Sequence, residues 1–202
     1  MLSPMIAFYW AALREYFEEH PWKPVSIYAF AGWGAFYLLF LIYAARDTSG
    51  FLIIDNVNLV IHEAGHPLFS YLGERPMVWG GTILQWLVPF LLATYFFVQR
   101  QTTGFVFSLF FFFENWLYTA TYMADARAQL LPLVSIGGGD GDENMHDWYN
   151  IFSHMGVLDR DTQIAHVVRT LGWIGMIGCV LFLAWRWYQD RAEESATGAA
   201  AS

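Results

Sequence analysis

Charge is what this chain has least of. Only 14% of its 202 residues are Asp, Glu, Lys or Arg, whereas 56% are hydrophobic. A soluble domain of this length needs far more polar surface, so an ordinary water-soluble globule is excluded. Basic residues are the scarcer kind, ten Lys and Arg against eighteen Asp and Glu, and they form no patch. Nucleic acid is therefore not an expected partner. Cysteine is nearly absent. Cys179 stands alone in an apolar run, which excludes an intramolecular disulfide or a thiolate cluster and leaves the redox compartment open. It reads as a small apolar residue. The N-terminus lacks the layout of a cleaved signal peptide, because Arg14 follows the short apolar run 5–13 and Glu15, Glu18 and Glu19 come next. Residues 1–20 read instead as an amphipathic interfacial helix. No internal repeat of useful length is present.

Aromatic residues are plentiful: ten Trp, eleven Tyr and eighteen Phe suit a protein surrounded by lipid. Five segments reach the roughly 20 apolar residues that a crossing needs. They are residues 25–45, 51–73, 78–98, 104–123 and 167–188. The expected fold class is all-α, a polytopic membrane helix bundle of about five transmembrane helices. The interfacial helix and a re-entrant or interfacial segment at residues 128–136 complete it. Residues 1–191 form one membrane domain. The long loop 124–166 holds an acidic glycine-rich hinge at 137–143, and 192–202 read as a disordered tail. The expected location is the cell membrane, plasma or inner, with several passes. Loop arginines lean only weakly toward a cytoplasmic N-terminus. The oligomeric state is not encoded.

The second segment contains His62-Glu63-Ala64-Gly65-His66. Residues four apart on a helix share a face, so His62 and His66 present two imidazoles to one ion. Glu63 lies about 100° round from His62, where it can take a proton from the attacking water. Ionisable groups at membrane depth cost about 2.5–3.5 kcal/mol each on insertion scales, which marks them as functional. Asp55, Asn58, His62 and His66 recur at helical spacing as one polar stripe, and Pro67 is expected to kink the helix beside the metal. The fourth segment carries a matching stripe of Glu114, Tyr118, Thr121 and Asp125. Thr82 and Gln85 in the third read as interhelical hydrogen-bonding residues.

A hydrolytic zinc needs three protein ligands and a water. His146 is the first choice for the third, since the glycine hinge can fold it back over the bundle. Asp125, Glu114 and Asp147 are the alternatives. His20, His154 and His166 have no partner at ligand spacing and read as structural or solvated. The acidic loop at 140–143 matches a calcium loop only loosely.

On the strength of His62-Glu63-Ala64-Gly65-His66 inside a transmembrane segment, the chain resembles the site-2 protease family of intramembrane zinc metalloproteases. The resemblance is distant and covers the second to fourth segments. It implies that His62 and His66 bind zinc, one ion per chain, and that Glu63 is the general base. It also implies that a peptide bond of a membrane-embedded protein or peptide substrate is hydrolysed. The family's third ligand is an aspartate in a Leu-Asp-Gly helix preceded by Asn and Pro. Leu158-Asp159-Arg160 lacks the Gly and Gly139-Asp140-Gly141 lacks the Leu, so that ligand does not transfer. The expected function is thus a membrane zinc metallohydrolase, a peptidase acting in or near the bilayer. Two alternatives stand beside it. One is a di-iron oxidoreductase using Glu63-x-x-His66, Glu143-x-x-His146 and Glu114. The other is a non-catalytic membrane protein that keeps a metal for structure or for partner binding.

Overall fold

The computed structural model describes residues 4–131 and 146–200, and every regular element among them is helical. In chain order these are α1 (Pro4–Glu19), α2 (Ile27–Arg46), α3 (Asp55–Ser70), α4 (Glu74–Val98), α5 (Thr102–Ala124), α6 (Asp147–Met155) and α7 (Asp161–Ala200). A 3-10 turn at Leu158–Arg160 leads into α7. Ser26 starts α2 by accepting the Ala29 amide at 3.1 Å. Gly73, at φ +112°, breaks the chain between α3 and α4 in a conformation that side chains rarely adopt.

Three helices are long and apolar enough to cross a membrane: Ile27–Arg46, Glu74–Val98 and Leu158–Ala196. Their outward faces carry Leu38, Leu39, Leu91, Leu92, Ile174 and Leu181, all exposed, as a lipid-facing surface requires. The sequence suggested five crossings; the second and fourth segments do not qualify. With 16 residues, α3 spans about 24 Å at 1.5 Å per residue, short of a hydrocarbon core about 30 Å thick. It also carries Asp55, Asn58, His62, Glu63 and His66. Helix α5 is long enough, but Glu114, Asn115 and interspersed Ser, Thr, Trp and Tyr residues lower its hydropathy. It lies against both α4 and α7, so protein covers it rather than lipid.

Helix α1 is exposed almost throughout, with Phe8, Tyr9 and Trp10 turned outward, as an interfacial helix would be. Arg100, between α4 and α5, ties its end to the bundle. The guanidinium donates to the His20 carbonyl at 2.8 Å and stacks over Phe17 and Trp22 at 4.6 and 4.5 Å. The hinge at 137–143 and most of the expected re-entrant piece at 128–136 lie outside the described residues. The segment from residue 192, expected as a tail, continues α7 to Ala200. Its alanines and glutamates are good helix formers, and an Arg191–Glu194 pair at 3.1 Å bridges one turn.

Two clusters hold the bundle. Tyr37 of α2, Val106 and Phe110 of α5, and Met176 and Leu183 of α7 form the first. The second joins Ala120 and Met123 of α5 to Trp148, Ile151 and Phe152 of α6 and Ala165 of α7. Burying each of the three large α6 side chains contributes about 1.5–3 kcal/mol. That anchoring fixes the start of α6, and with it Asp147, against α3.

Candidate metal centre

Helices α3 and α4 approach closely because both carry glycine at the crossing. A Cβ on Gly65 would lie 2.2 Å from the Gly80 carbonyl oxygen, and one on Gly81 would lie 2.6 Å from Nε2 of His62. The bare backbone of α4 therefore forms one wall of a pocket for the His62 ring. Pro67 sits inside α3 and cannot donate to the Glu63 carbonyl. Asp55, Asn58 and His62 of the expected stripe are buried, and His66 is partly open.

Both imidazoles are oriented from behind. His62 Nδ1 lies 2.9 Å from Gln85 Oε1, and His66 Nδ1 lies 2.9 Å from the Met77 carbonyl oxygen. A carbonyl only accepts, so His66 carries its hydrogen on Nδ1. The Gln85 amide is fixed by a chain of donors. Thr119 gives its hydroxyl hydrogen to the Asn115 carbonyl at 2.8 Å, so its oxygen must accept from Gln85 Nε2 at 2.9 Å. Gln85 Oε1 is left facing His62, and the His62 hydrogen is likewise on Nδ1. Each ring thus turns its Nε2 atom the other way, the arrangement that outer partners impose on metal-bound histidines.

The two Nε2 atoms converge on one oxygen. Asp147 Oδ2 lies 2.9 Å from His62 Nε2 and 3.4 Å from His66 Nε2. Ligand atoms about 2.0–2.1 Å from a tetrahedral zinc stand about 3.3 Å apart, so each of these two separations suits a pair of donors on one ion. Burial pushes the Asp147 carboxyl up, but its hydrogen bonds with His62 and His66 outweigh this and hold it below the usual carboxylate range. An anionic oxygen therefore faces both Nε2 atoms. The Tyr122 hydroxyl accepts the Asp147 amide at 3.1 Å and braces the start of α6. Glu63 completes the group: one ligand atom from each of His62, Glu63 and His66 lies within 4.8 Å of the others. His62 and Asp147 form its buried side, while Glu63 and His66 are half-open.

His146, the first choice for third ligand, is not brought to this group. As the residue before α6 it accepts the Tyr149 amide on Nδ1 at 3.3 Å, and its Nε2 faces Asp125 Oδ2 at 3.4 Å. Burial pushes this imidazole below its ordinary value, against the opposing pull of Asp125. A neutral ring that accepts on Nδ1 keeps its hydrogen on Nε2 and has no lone pair left for a metal. The next residue, in the first turn of α6, points to α3 instead. Asp125 is further engaged by the Leu130 and Leu131 amides, both at 2.9 Å. Glu114 reaches Asn58 at 3.0 Å, away from the histidine pair. Glu143, needed for a di-iron set, lies outside the described residues.

Gln85, expected to bond between helices, does so, and its partner proves to be His62. The Met77 carbonyl and Gly81 carried no advance signal, because a backbone oxygen and a missing side chain leave no mark at the level of motif spacing. No family model, curated protein or solved structure matches the chain.

Proposed function

We propose that this chain is a multi-pass membrane zinc metallohydrolase, a peptidase acting on peptide bonds in or near the bilayer of the cell membrane. The observation that carries the proposal is the convergence of His62 Nε2 and His66 Nε2 on Asp147 Oδ2, with both Nδ1 atoms held by acceptors behind them. His62, His66 and Asp147 would hold one zinc. Zinc bound there supplies a water of pKa about 7 and polarises the scissile carbonyl. Glu63 accepts the proton of the attacking water on its carboxylate and passes it to the leaving amine nitrogen. The half-open edge at Glu63 and His66 admits the substrate backbone, and the buried side keeps bulk water from the ligands. This is also the chemistry implied by the resemblance to site-2 proteases, with Asp147 as the third ligand.

The test uses the purified full chain in detergent, with zinc content and cleavage of a quenched fluorescent peptide pool measured together. Glu63→Gln should retain one zinc and lose about 10²–10⁴-fold in rate. Cleavage at the unchanged rate, or wild-type protein that takes up no zinc, refutes the proposal.

A further inference from the structure

A second polar group lies on the same face of α3, nearer its start, and the chemistry above leaves it unused. Asp55, Asn58 and Glu114 are at most 1% exposed. The Asn58 amide sits between the two carboxyls, its Nδ2 donating to Asp55 Oδ1 at 2.9 Å and to Glu114 Oε2 at 3.0 Å. The carboxyls also lie in hydrogen-bonding contact with each other. The Leu52 amide donates to Asp55 Oδ2 at 2.6 Å. Two enclosed oxygens of this group, Asn58 Oδ1 and Glu114 Oε1, have no hydrogen-bond partner among the described residues.

An enclosed acceptor without a donor is costly, and two carboxyls in contact repel unless a proton or a cation lies between them. A cavity of about 270 Å³ reaches the group at Asp55, and Asp47, Ser49, Tyr118, Thr121 and Arg169 are among the residues that line it. Arg169 donates to Thr121 Oγ1 at 2.8 Å. Asp47 is hydrogen-bonded by the Ser49 hydroxyl at 2.7 Å and the Gly50 amide at 2.6 Å, which keeps an anionic carboxyl at the entrance.

We propose that Asp55, Asn58 and Glu114 form a second cation site, taking one hard cation that enters through the cavity at residues 47–50. The donors are all oxygen, with no imidazole or thiolate, which favours sodium, magnesium or calcium over zinc. A half-turn of the Asn58 amide brings Oδ1 between the two carboxyls, so the unpartnered oxygens become ligands. Water in the cavity fills the remaining positions. The site is independent of the histidine centre and stands whether or not that centre is hydrolytic.

The test follows thermal unfolding of the zinc-loaded full chain in detergent, replacing choline chloride with sodium, magnesium or calcium chloride at constant ionic strength. At least one of these ions should raise Tm saturably, by about 5–10 °C at a hundredfold excess over Kd. Asp55→Asn and Glu114→Gln should abolish the rise while zinc content stays at one per chain. Equilibrium dialysis of the wild-type chain with the stabilising ion covers the case in which those variants fail to fold. One ion bound per chain, retained when His62 is changed to Ala, supports the site. A Tm equal to that in choline for all three ions overturns the proposal, as does an undiminished rise in Glu114→Gln. A shared proton as sole occupant would give that first result.

Discussion

Replacing Gln85 with Leu tests the centre without touching a ligand or the base. The Gln85 side chain is buried, and its Oε1 is what holds the hydrogen of His62 on Nδ1. Leu fills a similar volume but accepts nothing. Thr119 loses one donor but keeps Trp86 Nε1 at 3.0 Å, so the penalty falls on His62. A buried donor left unsatisfied costs about 1–3 kcal/mol. The ring escapes that cost by moving its hydrogen to Nε2, where Asp147 Oδ2 accepts it at 2.9 Å. The metal must then displace that proton and restore the bare Nδ1–H. Zinc affinity should therefore fall about 10–100-fold, or about 1.4–2.7 kcal/mol. Competition against a chromophoric chelator in detergent measures this directly. Gln85→Glu keeps an acceptor and should bind within a few-fold of wild type. If Gln85→Leu folds and binds zinc as tightly as wild type, the assigned ring orientation is wrong.

Asp147→Ala removes a converging donor and should weaken zinc by more than about 100-fold. His146→Ala should lose only the α6 cap, about 0.5–2 kcal/mol, and keep one zinc by metal analysis. Gly81→Ala pushes a methyl within 2.6 Å of the His62 ring, so either the ring or α4 must shift. Strain of about 1–3 kcal/mol in Tm measurements and a fall in zinc affinity should appear together. In the metal-free protein, α6 docking should weaken in acid, read as lower amide protection across residues 147–155 relative to the intrinsic exchange rate at each pH. His146 has a folded value below its ordinary 6.5, so its contribution is full above 6.5 and declines as pH falls below it. Asp147 is held below 3.8, so its share is present above that value and lost as pH falls through its lower folded value. Protection that stays constant from pH 7.5 to 5 would contradict the burial assigned to His146.

The residues themselves announced most of the helices and the paired imidazoles, because both depend on short-range periodicity. His62 and His66 share a face whatever surrounds them, and Glu63 must lie beside them. What spacing could not say is which side of a helix is covered by protein. Hydropathy alone cannot tell a lipid-facing Phe from one packed on a neighbouring helix, so the covering of α5 by α4 and α7 was not legible in it. The reverse happened at Asp190, which in sequence looks like one of the charges beyond the last span. It is buried and accepts the Val25 amide at 2.8 Å, pinning the far end of α7 to the start of α2. The place of His146 was not legible for a narrower reason. His146 and Asp147 are adjacent, and which one faces α3 is decided by where α6 begins. A one-residue change in the cap swaps them, and no motif in the chain sets that boundary.

The same placement of α6 accounts for how a small bundle can bury His62 and Asp147 while leaving Glu63 and His66 partly open. Helix α3 supplies two nitrogens that are oriented by α4 alone, through Gln85 and the Met77 carbonyl, so half of the centre is preassembled within one helical hairpin. The oxygen comes from a residue 85 positions after His62, on a nine-residue helix held by Trp148, Ile151 and Phe152. An isolated helix of that length is unstable in water, so packing alone keeps Asp147 in place. Anchoring by side chains on the buried face leaves the opposite edge, at Glu63 and His66, partly open among the described residues. Under the proposed function, the base would lie where a substrate can arrive, and His62 and Asp147 where water is scarce. A centre built on α3 alone would have been open on both sides. One built from two long crossing helices would have been closed on both.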